Sequence, residues 1–214
     1  MTPFPIILSS PSGGGKTTIA RMLVERRADV GYSVSCTTRP PRSGEVHGRD
    51  YHFLSVGEFT DRVDRGEFAE HAQVHGNRYG TLKAEVERVF ASERHVIMDI
   101  DVQGARQFMA SYPESVLVFL LPPSADVLVG RLTGRKTEDA ATTLRRLQGA
   151  RDELAEVGHY QYVVVNDDLE TAYRQVASIV EAEAVRHSRL PRVSEQVRGI
   201  VGALNDLIQK SPGH

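Results

Sequence analysis

The segment that most constrains this chain lies near its start, where Ser9-Ser10-Pro11-Ser12-Gly13-Gly14-Gly15-Lys16-Thr17-Thr18 separates two regular patterns. Before it runs a short apolar stretch, Pro5 to Ser9, with the length of a buried strand. After it comes an amphipathic pattern from about Lys16 to Arg27, with Ile19, Met22 and Leu23 on one face. Strand, glycine cluster, Lys-Thr and helix in that order make a phosphate-binding loop. Consecutive glycines let backbone N–H groups turn inward around phosphate oxygens, where a Cβ would obstruct them. The helix N-terminus adds its positive dipole end. Ser12, Gly13, Gly14, Gly15, Lys16, Thr17 and Thr18 are therefore the expected contacts of a nucleoside triphosphate. The Lys16 ammonium reaches toward the β- and γ-phosphates, and the Thr17 hydroxyl toward Mg²⁺. One position departs from G-x-x-x-x-G-K-[ST]: Ser10 stands where the pattern has glycine.

The rest of the chain fits an α/β fold with a mainly parallel sheet flanked by helices. His95 to Ile100, Val116 to Leu121 and Tyr162 to Asn166 are continuous apolar runs of the kind a strand covered on both faces needs. Asp126 to Arg135, Ala140 to Glu156 and Thr171 to His187 alternate with them as helical patterns. The stretch from Thr37 to about Glu87 breaks the rhythm. It is polar, rich in Arg, Gly, His and Tyr, and contains the strand-like piece Phe68 to Val74, so it reads as an inserted lobe. Residues 1–36 and 88–190 form the expected core, with a second polar interruption at about 133–145. Beyond Pro191, Val197, Ile200, Val201, Leu204 and Leu207 recur at helical spacing, a stripe expected to pack on the core or on another subunit.

Composition narrows the function. With 26 Lys+Arg against 28 Asp+Glu the net charge is -2, which lacks the basic excess of a nucleic-acid-coating or membrane-surface protein. The single cysteine, Cys36, excludes an internal disulfide framework and a Cys-rich zinc site. No apolar run approaches the roughly 18 residues of a membrane span, and the N-terminus lacks the basic region of a signal peptide, so a cytoplasmic setting is expected.

A triphosphate loop needs an acidic partner for its metal, usually at the end of a neighbouring strand. Asp99 and Asp101 are the candidates. Spaced two apart, they would share one face of an extended strand, and the sequence leaves open which serves the metal. For the acceptor, the inserted lobe offers Arg39 and Arg42 on either side of two prolines. Stiffly presented guanidinium forks of this kind can clamp a phosphate dianion, with Tyr51 as a further donor.

These segments together resemble the guanylate kinase family. The resemblance rests on Val34-Ser-Cys-Thr-Thr-Arg-Pro-Pro-Arg-Ser-Gly-Glu45 followed by Gly48-Arg-Asp-Tyr51, and on the phosphate-binding loop. Glu70 with Tyr79-Gly80-Thr81, Asp99-Ile-Asp101 with Gln103-Gly104, Arg131 with Arg135, Arg146-Leu147 and Val165-Asn166-Asp167 follow in order. It spans roughly Ile6 to His187. It implies a phosphate-loop kinase core, a lobe for the nucleoside monophosphate, a mobile lid, and transfer of the γ-phosphoryl of ATP to GMP or dGMP with Mg²⁺. It further implies that Arg39, Arg42, Tyr51 and Tyr79 hold the GMP phosphate, while Ser35, Glu70, Thr81 and Asp101 surround the guanine. Arg131, Arg135 and Arg146 would contact ATP phosphates or the transferring group, and Asn166 the adenine or lid environment. Cys36 would be a bystander.

Guanine chemistry agrees with this. An ionised Glu70 can accept from guanine N1–H and N2–H, but would face the lone pair of adenine N1. Three other readings compete: a catalytically silent module of the same fold that binds peptides, a sugar-phosphate kinase, and an NTPase acting on a macromolecule. The intact loop opposes the first, and Ser35, Glu70 and Thr81 oppose the second. Small size and near-neutral charge oppose the third. Monomer and homo-oligomer both remain open.

Overall fold

The structure is a computed structural model and describes residues 2–74, 76–133 and 140–210. In chain order the elements are β1 (Pro5–Ser9), α1 (Lys16–Arg26), β2 (Val30–Tyr32), β3 (Cys36–Thr37), β4 (His52–Phe53), α2 (Val56–Asp64) and β5 (Phe68–Val74). Then follow β6 (Asn77–Leu82), α3 (Lys83–Phe90), β7 (His95–Asp99), α4 (Val102–Ser111), β8 (Val116–Leu121) and α5 (Ala125–Thr133). The chain continues through α6 (Ala140–Ala155), β9 (Tyr162–Val165), α7 (Leu169–Ala184) and α8 (Val193–Lys210).

The apolar runs assemble as their composition requires. Five strands in the order β2-β7-β1-β8-β9 make one sheet, and each pairing within it is parallel. The central strand β1 is buried along its whole length. Its alternate side chains serve opposite faces. Ile6 and Leu8 pack with α1 and α7 residues such as Ile19, Leu23, Val176 and Val180. Ile7 packs with Val86 and Val89 of α3 and Phe108 of α4. Helices thus cover both faces, as a parallel sheet needs.

The polar stretch forms a second sheet, β4-β3-β6-β5, in which the β5–β6 and β3–β6 pairs are antiparallel. Cys36, Phe59 and Phe68 supply a small core of their own, and the Phe59 and Phe68 rings stack at 4.5 Å. Burial pushes the Cys36 thiol up to about 12, so it is no nucleophile. Helix α3 turns back to the main sheet, so the structural break falls near Leu82 rather than Glu87.

Of the expected interruption at about 133–145, residues 134–139, Arg135 among them, lie outside the described residues, and residues 140–145 already belong to α6. At the C-terminal end, α8 forms as its spacing predicts. The stripe does not pack on the core: Val197, Ile200, Val201 and Leu204 are 49–54 % exposed.

Candidate active site

The phosphate-binding loop hangs between the end of β1 and α1. Gly13 and Gly15 take φ of +80° and +89°, the left-handed region that glycine enters without strain. Gly15 caps α1, and no side chain accepts the helix's first N–H groups. Those donors stay available for an anion. At Gly15 a Cβ would stand 2.5 Å from the Asn166 amide, which itself donates to the Gly14 carbonyl at 2.8 Å. Asn166 is buried, so the loop is braced from beneath by the end of β9. Ser10 needs no left-handed backbone: its buried hydroxyl turns back to the Pro11 carbonyl at 3.0 Å. The departure from the glycine pattern therefore leaves the loop unstrained.

Side chains converge on the loop from three directions. Lys16 Nζ lies 3.5 Å from the Ser10 carbonyl and faces the cleft. The Thr17 hydroxyl donates to Asp99 Oδ2, at the end of β7. Arg146, buried on α6, donates to the Leu132 carbonyl at 2.8 Å and to the Ser12 hydroxyl at 3.2 Å. Arg131 on α5 bonds the Asn166 carbonyl at 3.1 Å. Thr18 is exposed on the first turn of α1. Glu153, about two turns on from Arg146 along α6, also lines the cleft; burial pushes its carboxyl up to about 7 although Lys16 opposes the shift.

The cleft of about 260 Å³ runs from this loop to the second sheet and brings Lys16 and Thr17 to the same space as Ser35, Arg42, Tyr51, Glu70, Tyr79 and Asp101. Arg39 does not line it. Its guanidinium forms a bidentate pair with Glu45, at 3.0 and 2.8 Å, beneath the Tyr51 ring and beside Tyr79. Glu45 also accepts from the Arg42 backbone N–H at 2.7 Å, which fixes the bend between the two arginines.

At the far end, Glu70 on β5 is 4 % exposed. Burial raises its carboxyl to about 7, with the nearby Asp101 charge adding to the rise and Thr81 opposing it. Thr81 is fully buried beside it, and its hydroxyl makes no hydrogen bond of good geometry. Glu70 lines the cleft and is open to a ligand there, whereas Thr81 does not line it. Asp101 corrects the sequence expectation. β7 ends at Asp99, and Asp101 caps α4, accepting from Gly104 N–H at 2.7 Å. The two carboxylates do not share a strand face: Asp99 faces the loop and Asp101 faces Glu70.

Asp99 and the Thr17 hydroxyl put two hard oxygen groups together beside the phosphate loop, a set that fits Mg²⁺, which takes one or two carboxylates and fills its remaining positions with phosphate oxygens and water. Among the described residues no cluster of three or more His, Cys, Asp or Glu side chains stands ready to hold a metal unaided, so substrate oxygens would complete the site.

Sequence reasoning missed three residues here. Gly104 is one: a Cβ there would come within 2.6 Å of Glu70 Oε2. Glu153 is another, and Tyr32, whose hydroxyl donates to Asp99 Oδ1, is the third. Only Gly104 left a trace, as part of the Gln103-Gly104 match.

Comparison with known proteins identifies the family. The guanylate kinase family model matches residues 2–183. The chain belongs to the guanylate kinase family. A guanylate kinase of Aromatoleum aromaticum is 46 % identical over 183 residues, which cover 86 % of this chain and 90 % of that one. Another, of Anaeromyxobacter dehalogenans, is 48 % identical over 185 residues, 86 % and 82 % of the two chains. The crystal structure of guanylate kinase from Anaplasma phagocytophilum superposes with a TM-score of 0.73 at 34 % identity, covering 88 % of this chain and 89 % of that one. The α8 stripe lies beyond the family match. No helix of the described residues is long and apolar enough to cross a membrane.

Proposed function

We propose that the chain transfers the γ-phosphoryl of ATP to GMP, and to dGMP, giving ADP and GDP. The observation that carries this is the shared cleft: a triphosphate loop at one end and, at the other, the buried Glu70 carboxylate. On this reading the second sheet is the acceptor lobe and residues about 133–145 are the lid. Glu70 accepts from guanine N1–H and N2–H, with Ser35, Thr81 and Asp101 around the base. Arg42, Tyr51 and Tyr79 hold the GMP phosphate, and Arg39 joins them from its seat on Glu45. Its place outside the cleft makes Arg39 the part of this assignment that requires movement.

The loop N–H groups, Lys16 and Arg131 bind the triphosphate, and Arg146 reaches the transferring group past Ser12, with Arg135 as a further candidate. A GMP phosphate oxygen attacks the γ-phosphorus as its bond to the β-bridging oxygen breaks; alignment and charge neutralisation supply most of the catalysis. Mg²⁺, held through Thr17 and Asp99, would draw off charge from the phosphate oxygens when bound. A cytoplasmic location fits these substrates and the composition.

The test is calorimetric binding of GMP and AMP to the native protein and to Glu70→Gln. GMP affinity should fall by about 1–3 kcal/mol, the cost of leaving paired polar groups unmet, and AMP affinity should change little. Equal losses for the two nucleotides would remove Glu70 from base recognition.

A further inference from the structure

Asp99 closes β7 beside the phosphate loop, and each oxygen of its carboxylate already has a partner. Oδ2 accepts from the Thr17 hydroxyl and Oδ1 from the Tyr32 hydroxyl. Tyr32 is the last residue of β2, the strand that pairs in parallel with β7, with Tyr32 opposite Ile97. The sheet therefore sets the separation of the phenol from Asp99, two residues further along the neighbouring strand. The ring packs on the core that holds α1, so its direction is fixed as well. Arg21, one turn beyond Thr17 on α1, adds a positive charge near both groups while paired to Asp50.

Taking the kinase reading as given, we propose that Tyr32 is a positioning residue for the metal–triphosphate complex: its hydroxyl fixes the rotation of the Asp99 carboxylate and so keeps Oδ2 turned to Thr17. The torsion that rotates an aspartate carboxylate is broad and roughly two-fold, so burial of the backbone alone does not set it. A hydrogen bond to one oxygen does. Outer partners of this kind typically change metal affinity or activity by about 10–100-fold when removed. Were Tyr32 only a filler at the sheet edge, phenylalanine would serve equally, because the ring contacts would all remain.

Tyr32→Phe removes that one oxygen. Mn²⁺, observed by electron paramagnetic resonance, is titrated into the full-length protein with ADP bound. We expect the variant to hold Mn²⁺ about tenfold more weakly, to need correspondingly more Mg²⁺ for half-maximal turnover, and to recover turnover at high Mg²⁺. Its KM for GMP should stay unchanged. Mn²⁺ affinity equal to that of the native protein, or a loss of thermal stability without a change in Mn²⁺ affinity, would overturn the proposal. Turnover of GMP by the native protein, measured alongside, tests the kinase reading separately: its absence would remove that reading whatever the Mn²⁺ titration gives.

Discussion

Glu70 shows what a single side chain costs and gains. Its carboxyl is buried on β5 with Asp101 near it, and the folded protein holds its proton up to about pH 7. The unfolded chain releases that proton at the ordinary glutamate value, about 4.3. As pH climbs between those values, the unfolded state ionises first, so the contribution of Glu70 to stability declines through that window and stays lower above it. On the proposed reading guanine would reverse the preference, because its N1–H and N2–H would bond the ionised form. GMP affinity should therefore weaken by about tenfold per pH unit below 7, with one proton released on binding. Calorimetry at pH 6 in buffers of different ionisation enthalpy reads that proton. Because Glu153 in the same cleft is also raised to about 7, and GMP has its own titrating phosphate, the difference from Glu70→Gln is the measured quantity. Identical proton release in the two proteins would assign the titration elsewhere. Lys16 and Thr17 stand out in the sequence because they sit in a phosphate-loop motif with its own chemistry, whereas Glu70 is singled out only through the resemblance to guanylate kinases. Tyr32 and Glu153 do not stand out, since a tyrosine ending a strand or a glutamate in a helix carries no local signal.

At the scale of elements, α4 links two jobs. Asp101 caps its first turn, and Gly104, in that turn, leaves the space that Glu70 fills. Gly104→Ala favours the helix by roughly 1 kcal/mol on intrinsic propensity, yet its Cβ would meet Glu70 Oε2 at 2.6 Å. The substitution should leave the fold intact and raise the KM for GMP several-fold, with the KM for ATP unchanged. An unaltered KM for GMP in steady-state assays would show that Glu70 can shift without loss. The sequence reading placed Asp101 on a strand face with Asp99, since nothing in His95 to Asp101 marks where extension ends. The turn is set by the cap, and an aspartate three residues before a glycine at the start of a helix was the available clue. By contrast, Pro5–Ser9 and Val116–Leu121 were read to the residue, because strands buried on both faces are apolar throughout.

The whole molecule divides its labour between a parallel sheet that carries the triphosphate loop and a small second sheet that carries Glu70, Tyr79 and Thr81. The alternation of apolar runs with helices made the first legible. The second showed only as an interruption, because its short strands are paired by tertiary contacts rather than by period: Cys36 and Thr37 meet Gly80 and Tyr79 across more than forty residues. The central claim is that one cleft joins ATP to a guanine nucleotide. The most direct measurement is ADP release from Mg·ATP by the native protein, with GMP, dGMP, AMP and ribose bisphosphate each offered as acceptor. The account predicts rapid turnover with GMP and dGMP and little with the other two. Turnover with the sugar phosphate, or equal turnover with AMP, would contradict it.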